Sequence, residues 1–170
     1  MAEPHLHLNG LSSDDAAAAL RRCCGAKRWV QQMTALRPFA SRDALYLAAD
    51  RVWRDLSVDD HLEAFAHHPR IGTDRQELER RYGATARLSG SEQAGVAGAS
   101  AEVLDALREG NVAYEARFGF LFLVCATGKS AAEMLALLNA RLPNERLAEL
   151  QIAAQEHAKI TRLRLEGLGS

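Results

Sequence analysis

The sequence predicts an all-α protein, and three local signals point to that class. A serine followed three residues later by an acidic residue, the pattern that caps helix N-termini, occurs at Ser12, Ser57 and Ser130. Between such caps, apolar residues recur at the spacing of a helix. Several of these stretches stop just before a proline or at a glycine, the residues that end helices. The sequence has no internal repeat or low-complexity tract, so we expect one compact helical-bundle domain over residues 1–170.

Eight helical segments are predicted, each with a local reason to begin or end. The first, fourth and seventh open at the serine caps, and the third carries an apolar stripe that includes Leu45 and Trp53. The second and seventh stop ahead of Pro38 and Pro143, because the residue before a proline is pushed out of helical geometry. The fifth is short and closes at Gly83, the sixth follows a stretch of small residues, and the eighth is the longest. In chain order the segments cover residues 12–24, 27–36, 41–56, 57–68, 74–83, 101–117, 130–142 and 144–168.

One segment, FGFLFLVCATG at residues 118–128, is continuously apolar and departs from the helical pattern. A buried strand and a buried irregular stretch both fit it, because its periodicity does not decide between them. The letters ATGKS that overlap its end suggest a phosphate-binding loop, but such a loop needs a glycine where Leu123 stands, five positions before Gly128. Ser130 and Glu133 explain the same letters as a helix cap, so we expect no nucleotide site.

Composition is typical of a soluble globular protein, with 48% apolar and 25% charged residues. The net charge of −1 gives no general attraction to nucleic acid or to an anionic membrane, and no apolar run approaches the about 20 residues of a membrane span. The amino terminus does not have the pattern of a secretory signal, and the final letters LEGLGS are not a peroxisomal address. Cys23, Cys24 and Cys125 form no disulfide framework. We therefore expect a cytoplasmic protein, and the alanine- and arginine-rich composition suggests a bacterial one.

The residue pattern offers no metal site and no activated nucleophile. His61 and His68 stand seven residues apart, but the bend associated with Pro69 breaks any shared helix face, and no acidic residue completes a ligand spacing. His5 and His7 lie in what we expect to be a mobile terminus. The glycine–any–serine–any–glycine turn that exposes a nucleophilic serine does not occur. Any chemistry is therefore expected to be acid–base catalysis without a cofactor.

The candidate for acid–base catalysis is the histidine pair in AFAHHPRIG, residues 64–72. Because His68 precedes Pro69, we expect it to lie extended just past a helix end, with its backbone restrained before any tertiary contact forms. The ordinary pKa of histidine lies close to working pH, and restrained placement with easy proton exchange suits a general acid or base. The alternative is that His67 and His68 are surface residues that simply end the helix.

Ser89 and Glu92, in SGSEQ, are ambiguous because they stand at the spacing of a helix cap. The same pattern caps helices elsewhere in the chain, so a helix start explains it well. The neighbouring Gln93 and the surrounding glycines are the features that hint at a group approaching the backbone.

Arg164, in the last helical segment, is expected to point toward the core. At about 100° per residue it shares a stripe with Leu150 and Ile160, whereas Arg162 is turned about 160° away into solvent. A buried guanidinium needs an anionic partner, because leaving it unpaired costs several kcal/mol. Glu92, another structural partner or the carboxylate of a ligand would each serve.

Five elements together resemble the 2-oxo-4-hydroxy-4-carboxy-5-ureidoimidazoline (OHCU) decarboxylase family: ALRPF, HHPRIG, SGSEQAG, NVAYEARFGFLFLVCATGKS and ITRLRL. They run in the expected order from about residue 29 to residue 165, and they are specific as a set. The resemblance implies an all-helical, usually dimeric enzyme that forms (S)-allantoin during urate degradation without a metal or an organic cofactor. It casts His68 as the catalytic acid, with Glu92 and Arg164 completing the active site. It also places against the substrate Pro69, Ser89, Gln93 and the backbone of Phe122, Leu123, Val124, Cys125 and Ala126.

The resemblance also implies an irregular apolar segment whose free N–H and C=O groups contact an imide-like ring. Two alternatives stay open beside it. Ser91 adjoins Glu92 and could make the serine contact, although spacing favours Ser89. The chain could also be a helical interaction module in which His68, Glu92 and Arg164 are structural. Convergence of those three side chains on one solvent-reachable pocket would favour the enzyme.

Overall fold

The computed structural model describes residues 3–72, 94–96 and 98–169. Within these residues the regular structure is helical, without a strand, so the predicted all-α class is confirmed. No helix among them combines the length and the hydropathy that a membrane crossing requires. A 3-10 turn covers Ala94–Val96, and the α-helices in chain order are α1 Pro4–Gly10, α2 Ser13–Cys23, α3 Lys27–Ala35, α4 Arg42–Arg54, α5 Val58–Ala66, α6 Ala101–Phe118, α7 Ala131–Arg141 and α8 Arg146–Glu166.

The three predicted serine caps form as expected. The side chain of Ser12 accepts a hydrogen bond from the backbone N–H of Asp15 at 3.1 Å. Ser57 and Ser130 form full capping boxes, in which the acidic residue three positions later also accepts from the backbone of the cap. Each full capping box satisfies two N–H groups at the start of its helix, whereas the Ser12 cap satisfies one. The predicted segment 74–83 lies outside the described residues.

Two compact units divide the chain: one contains the residues up to His67 together with those from Ala158 onward, and the other is His68–His157. In the first unit α2 packs on α3, and α3 packs on α4. Trp29 of α3 is fully buried and donates its indole N–H to the carbonyl of Ala49 at 3.2 Å. Other large side chains of this core are Leu8, Leu20, Met33 and Leu45.

The amino-terminal residues form α1, so the expected mobile terminus is wrong. Leu8 is fully buried, and Asn9 exchanges two 2.9 Å hydrogen bonds with the backbone of Phe39. Arg37 donates to the carbonyl of Leu11 at 2.9 Å. These partners lie about 30 residues away in the sequence, so no local pattern announces them.

In the second unit α6 packs on α7, with Leu107, Tyr114, Met134 and Leu138 fully buried between and beside them. α6 ends at Gly119, which adopts a left-handed φ of 78° that glycine accepts without strain. From there to α7 the chain has neither helix nor strand. The apolar segment is therefore irregular, as the resemblance implied. α8 begins in this unit and ends in the first.

Candidate functional site

His68 follows the end of α5, whose C-cap is His67. Its side chain is buried at 4% exposure, and Pro69 beside it is buried as well, whereas His67 is exposed. The surface alternative is therefore wrong for His68 and correct for His67. The His68 ring stands edge-on to the ring of His157 of α8, with centroids 4.9 Å apart and an interplanar angle of 78°. His157 has no exposed surface, so the two rings pack against each other away from solvent.

The residues after His68 are fastened to α6. Arg70 places its guanidinium on the carboxylate of Glu115 with two hydrogen bonds, of which the Nη2–Oε2 bond is 2.8 Å long. Such a fork fixes both distance and direction. Ile71 is buried next to it. The chain two residues beyond His68 is thus tied to α6 by this salt bridge.

Residues 122–126 lie in the core with their side chains packed inward. Phe122, Leu123, Val124 and Ala126 are at most 4% exposed, and Cys125 is half-buried. Charged side chains bind the backbone here in place of a neighbouring strand. Arg141 donates its Nη1 to the carbonyl of Leu123 at 2.6 Å, and the Cys125 N–H donates to Glu156 at 2.7 Å.

The expectation of free backbone groups in this segment is therefore corrected at three residues, since the Ala126 carbonyl also accepts from the Lys129 N–H at 3.0 Å. The Leu123 carbonyl and the Cys125 N–H are occupied by side chains, and the Cys125 carbonyl accepts from Lys129 Nζ at 2.8 Å. Val124, between them, makes no backbone hydrogen bond to the described residues. Its N–H and C=O are both open to a ligand as far as the described residues extend.

Two adjacent residues of α8 connect His68 with the apolar segment. Glu156 accepts the Cys125 N–H, and His157, the next residue, stands against the His68 ring. The structure therefore connects two predicted parts of the site through two residues, Glu156 and His157, that no sequence pattern singled out. The helical phase that singled out Arg164 could have found His157, which lies seven residues earlier and thus on the same stripe of the helix.

Arg164 lies in the first unit and is buried at 7% exposure, as its helical phase predicts. Its Nη1 stands 3.4 Å from the backbone carbonyl of Arg22. Arg162 is exposed, but it is not simply solvated. Its guanidinium is 3.3 Å from the carboxylate of Asp50 and lies 4.3 Å from the centre of the Tyr46 ring.

Ser89, Glu92 and Gln93, and the alternative Ser91, lie outside the described residues, so their roles stay predictions. Just after them, Gly95 packs directly on the main chain that follows the apolar segment. A Cβ at this position would lie 1.9 Å from the carbonyl oxygen of Lys129. A side chain cannot fit there.

A buried cluster supports the Arg141 contact. Glu149 of α8 is fully buried and accepts hydrogen bonds from Arg141 Nε at 2.7 Å, from Asn144 Nδ2 at 2.9 Å and from the hydroxyl of Tyr114. Burial, and the hydrogen bond to this carboxylate, raise the pKa of the Tyr114 hydroxyl, so it remains a donor at any working pH. The Arg141 guanidinium also lies 4.7 Å from the centre of the Phe122 ring.

Among the described residues no group of three His, Cys, Asp or Glu side chains could hold a metal ion. Cys24 is not a reactive thiol, because burial raises its pKa from 9.0 to about 12. The described part of the chain therefore offers a buried histidine, forked arginines and oriented backbone groups as its chemical resources.

Comparisons with known proteins agree on one family. The sequence profile of the OHCU decarboxylase family matches residues 9–166. The uric acid degradation bifunctional protein TTL of Arabidopsis thaliana is 43% identical over 150 residues, which are 87% of this chain and 45% of that protein. The 2-oxo-4-hydroxy-4-carboxy-5-ureidoimidazoline decarboxylase of Haloferax volcanii is 27% identical over 93% of this chain and 91% of its own length. The chain thus spans less than half of the plant relative.

A solved structure shares both fold and sequence. The crystal structure of an OHCU decarboxylase in the presence of (S)-allantoin superposes with a TM-score of 0.73 at 39% identity. The match covers 85% of this chain and 92% of that one.

Proposed function

The chain belongs to the OHCU decarboxylase family, and from that premise we propose that it decarboxylates OHCU to (S)-allantoin in urate degradation. The observation that carries the proposal is the pairing made by α8: Glu156 holds the backbone of the apolar segment while His157 stands against the buried His68. A proton-exchanging side chain and an oriented peptide backbone are thus organised by adjacent residues.

The reaction needs no external electron sink. When carbon dioxide leaves C4, the electron pair of the broken C–C bond forms a double bond to C5 and displaces the electrons of the C5=N bond onto the ring nitrogen, where they delocalise into the C2 carbonyl. The protein must orient the carboxylate before it leaves, stabilise this anion and protonate one face of C5, while the C4 hydroxyl gives up its proton and becomes a carbonyl of allantoin. Oriented donors at developing charge contribute about 3–4 kcal/mol each, and proton delivery by a histidine contributes about 10²–10⁴ in rate.

The roles follow from this chemistry. His68 delivers the proton that fixes the stereochemistry, and its burial excludes water as a competing proton source. Arg164, with its planar fork of donors, binds the substrate carboxylate or ureido carbonyl. Glu92 orients the substrate or His68. Contacts to the ring come from Pro69, Ser89, Gln93 and the backbone groups of Phe122, Leu123, Val124 and Ala126 that make no hydrogen bond to the described residues.

We further propose that residues 1–170 act as one decarboxylase domain, as a homodimer in a bacterial cytoplasm, without a metal or an organic cofactor. The family match over residues 9–166 supports the domain extent. This route supports catalysis without a cofactor, because the substrate's own conjugated C=N and C=O groups accept the electron pair.

The test is to mix the purified protein with freshly generated products of urate oxidation and follow circular dichroism. We expect a dichroic signal of (S)-allantoin that appears faster than the slow, racemic, spontaneous product. The matched control is the His68→Asn protein at equal concentration. If the wild-type protein yields only the racemic product at the spontaneous rate, the enzyme assignment is wrong and a helical interaction module becomes the better description.

A further inference from the structure

Val124 is the point at which two separate side chains fix the irregular backbone. Arg141 of α7 holds the carbonyl of Leu123 at 2.6 Å, and Glu156 of α8 holds the N–H of Cys125 at 2.7 Å. The first group belongs to the peptide plane before Val124 and the second to the plane after it. Each of these two side-chain hydrogen bonds, called a clamp below, therefore fixes one of the two peptide planes that meet at Val124.

Because peptide bonds are planar, these two hydrogen bonds also fix the directions of the Val124 N–H and C=O groups. Both peptide bonds are trans, so the C=O and N–H of each plane point opposite ways. Because the Leu123 carbonyl points to Arg141, the Val124 N–H points away from Arg141. Because the Cys125 N–H points to Glu156, the Val124 C=O points away from Glu156. Both Val124 groups make no hydrogen bond to the described residues.

Arg141 is itself held rigidly. It is buried at 8% exposure, and its Nε donates to the fully buried Glu149, which also accepts from Asn144 and Tyr114. A buried ion pair is a poor source of stability, because desolvation offsets much of its attraction. The ion pair nevertheless fixes the orientation of the guanidinium. Because one edge of the guanidinium is held by Glu149, the Arg141 Nη1 donor reaches the Leu123 carbonyl in one direction only.

We propose that Arg141 and Glu156 are positioning residues that aim the N–H and C=O of Val124 at the substrate ring. A donor and an acceptor from one residue match a cyclic amide or ureide, which presents a carbonyl beside a ring N–H. This inference rests on the proposed decarboxylase function and adds to it the residues that set ring recognition. Neither residue touches the substrate.

The test compares Arg141→Lys and Glu156→Gln with a matched control, Arg146→Lys. Lysine at 141 keeps the charge beside Glu149 but cannot also grip the Leu123 carbonyl, since it has no fork. Arg146 makes the same kind of contact elsewhere: its Nε donates to the Phe118 carbonyl at 3.0 Å, and its guanidinium lies 5.9 Å from the centre of the Phe120 ring.

Steady-state kinetics, the Kd of (S)-allantoin and the amide signal of Val124 in ¹H–¹⁵N spectra are measured for all four proteins. Ring contacts exist in the bound substrate as well as in the transition state, so their loss raises KM more than it lowers kcat. We expect Arg141→Lys to raise KM and the Kd of (S)-allantoin about tenfold, with kcat within about threefold, and to move the Val124 signal. Glu156→Gln should do the same more weakly. Arg146→Lys should stay within about twofold of wild type.

A merely structural role gives a different result. Partial misfolding lowers the active fraction, so kcat falls while KM stays, and that pattern would overturn the proposal. Unchanged KM and an unmoved Val124 signal in Arg141→Lys would overturn it as well. If Arg141→Lys does not fold, Glu156→Gln decides, because its half-buried carboxylate is replaced by a group of the same size. If wild type is inactive, the proposed function has failed, and the Val124 signal alone decides whether the two clamps orient this backbone.

Discussion

Replacing Arg164 with lysine tests the role of the buried guanidinium, and Arg162→Lys is its control in the same helix. Arg164 is 7% exposed, while the Arg162 side chain is 45% exposed. Both substitutions keep a positive charge and shorten the side chain in the same way. Only Arg164→Lys removes a planar set of hydrogen-bond donors from a buried position, where water cannot replace them.

The expected magnitudes differ because the surroundings differ. If Arg164 holds the substrate's carboxylate with two parallel bonds, lysine forfeits one of them, and kcat/KM falls by at least about tenfold, equivalent to ~1.4 kcal/mol. Arg162 pairs with Asp50 at 3.3 Å on the surface and covers the Tyr46 ring. Lysine at position 162 can keep part of both contacts, each of which contributes no more than about 1 kcal/mol to stability. Because neither contact is part of the proposed site, kcat/KM of Arg162→Lys should be unaffected.

The assay is steady-state kinetics on both variants by circular dichroism, with thermal melts to confirm that each is folded at the assay temperature. Loss of kcat/KM in Arg162→Lys with a normal Arg164→Lys would refute the assignment and transfer the role to Arg162. If neither variant is impaired, the Arg164 guanidinium is structural, consistent with its contact to the Arg22 carbonyl, and the carboxylate is held elsewhere.

Three further predictions use the same preparation. His68→Asn should abolish decarboxylation with little change in melting temperature, whereas His67→Asn, at an exposed position, should be mild; equal kinetic losses at both would remove the distinction between them. Iodoacetamide at about pH 8 should label Cys125 well before Cys24, because a pKa of about 12 leaves only about one Cys24 side chain in 10⁴ as thiolate. Peptide mass spectrometry gives the order of labelling. Labelling of Cys24 before Cys125 would contradict the burial of Cys24. Exhaustive chelation should leave kcat/KM unchanged, and activity that returns only on adding a metal ion would mean that the catalysis depends on one.

The parts of the fold that the sequence predicted are those with short-range causes. The capping boxes at Ser57 and Ser130 involve residues three positions apart, so both partners stand in the same few letters. α1 was missed for the opposite reason. Its buried Leu8 and its hydrogen bonds to the backbone of Phe39 depend on chain about 30 residues away, and a helix of 7 residues is not stable by itself.

The same distinction separates the predicted from the missed parts of the site. The X-Pro restraint at His68 and the helical phase of Arg164 are local, and their burial is confirmed. His68 and His157 are the first and last residues of the second unit, so their contact spans its whole length in sequence and neither histidine predicts the other. Glu156 has an ordinary position in a charged stretch of helix, where solvation is the usual interpretation.

The apolar segment shows why periodicity could not choose between a strand and an irregular stretch. A buried backbone must satisfy its N–H and C=O groups, and a strand does so with a neighbouring strand. Here the partners are side chains from two helices, Arg141 and Glu156, which bind single groups and leave Val124 between them without a partner among the described residues. The hydrogen-bond ladder of a β-sheet would have paired the Val124 N–H and C=O as well. Side-chain clamps can therefore keep a buried backbone open for a ligand, and the sequence records this only as charged residues on distant helices whose contacts become visible once the chain is folded.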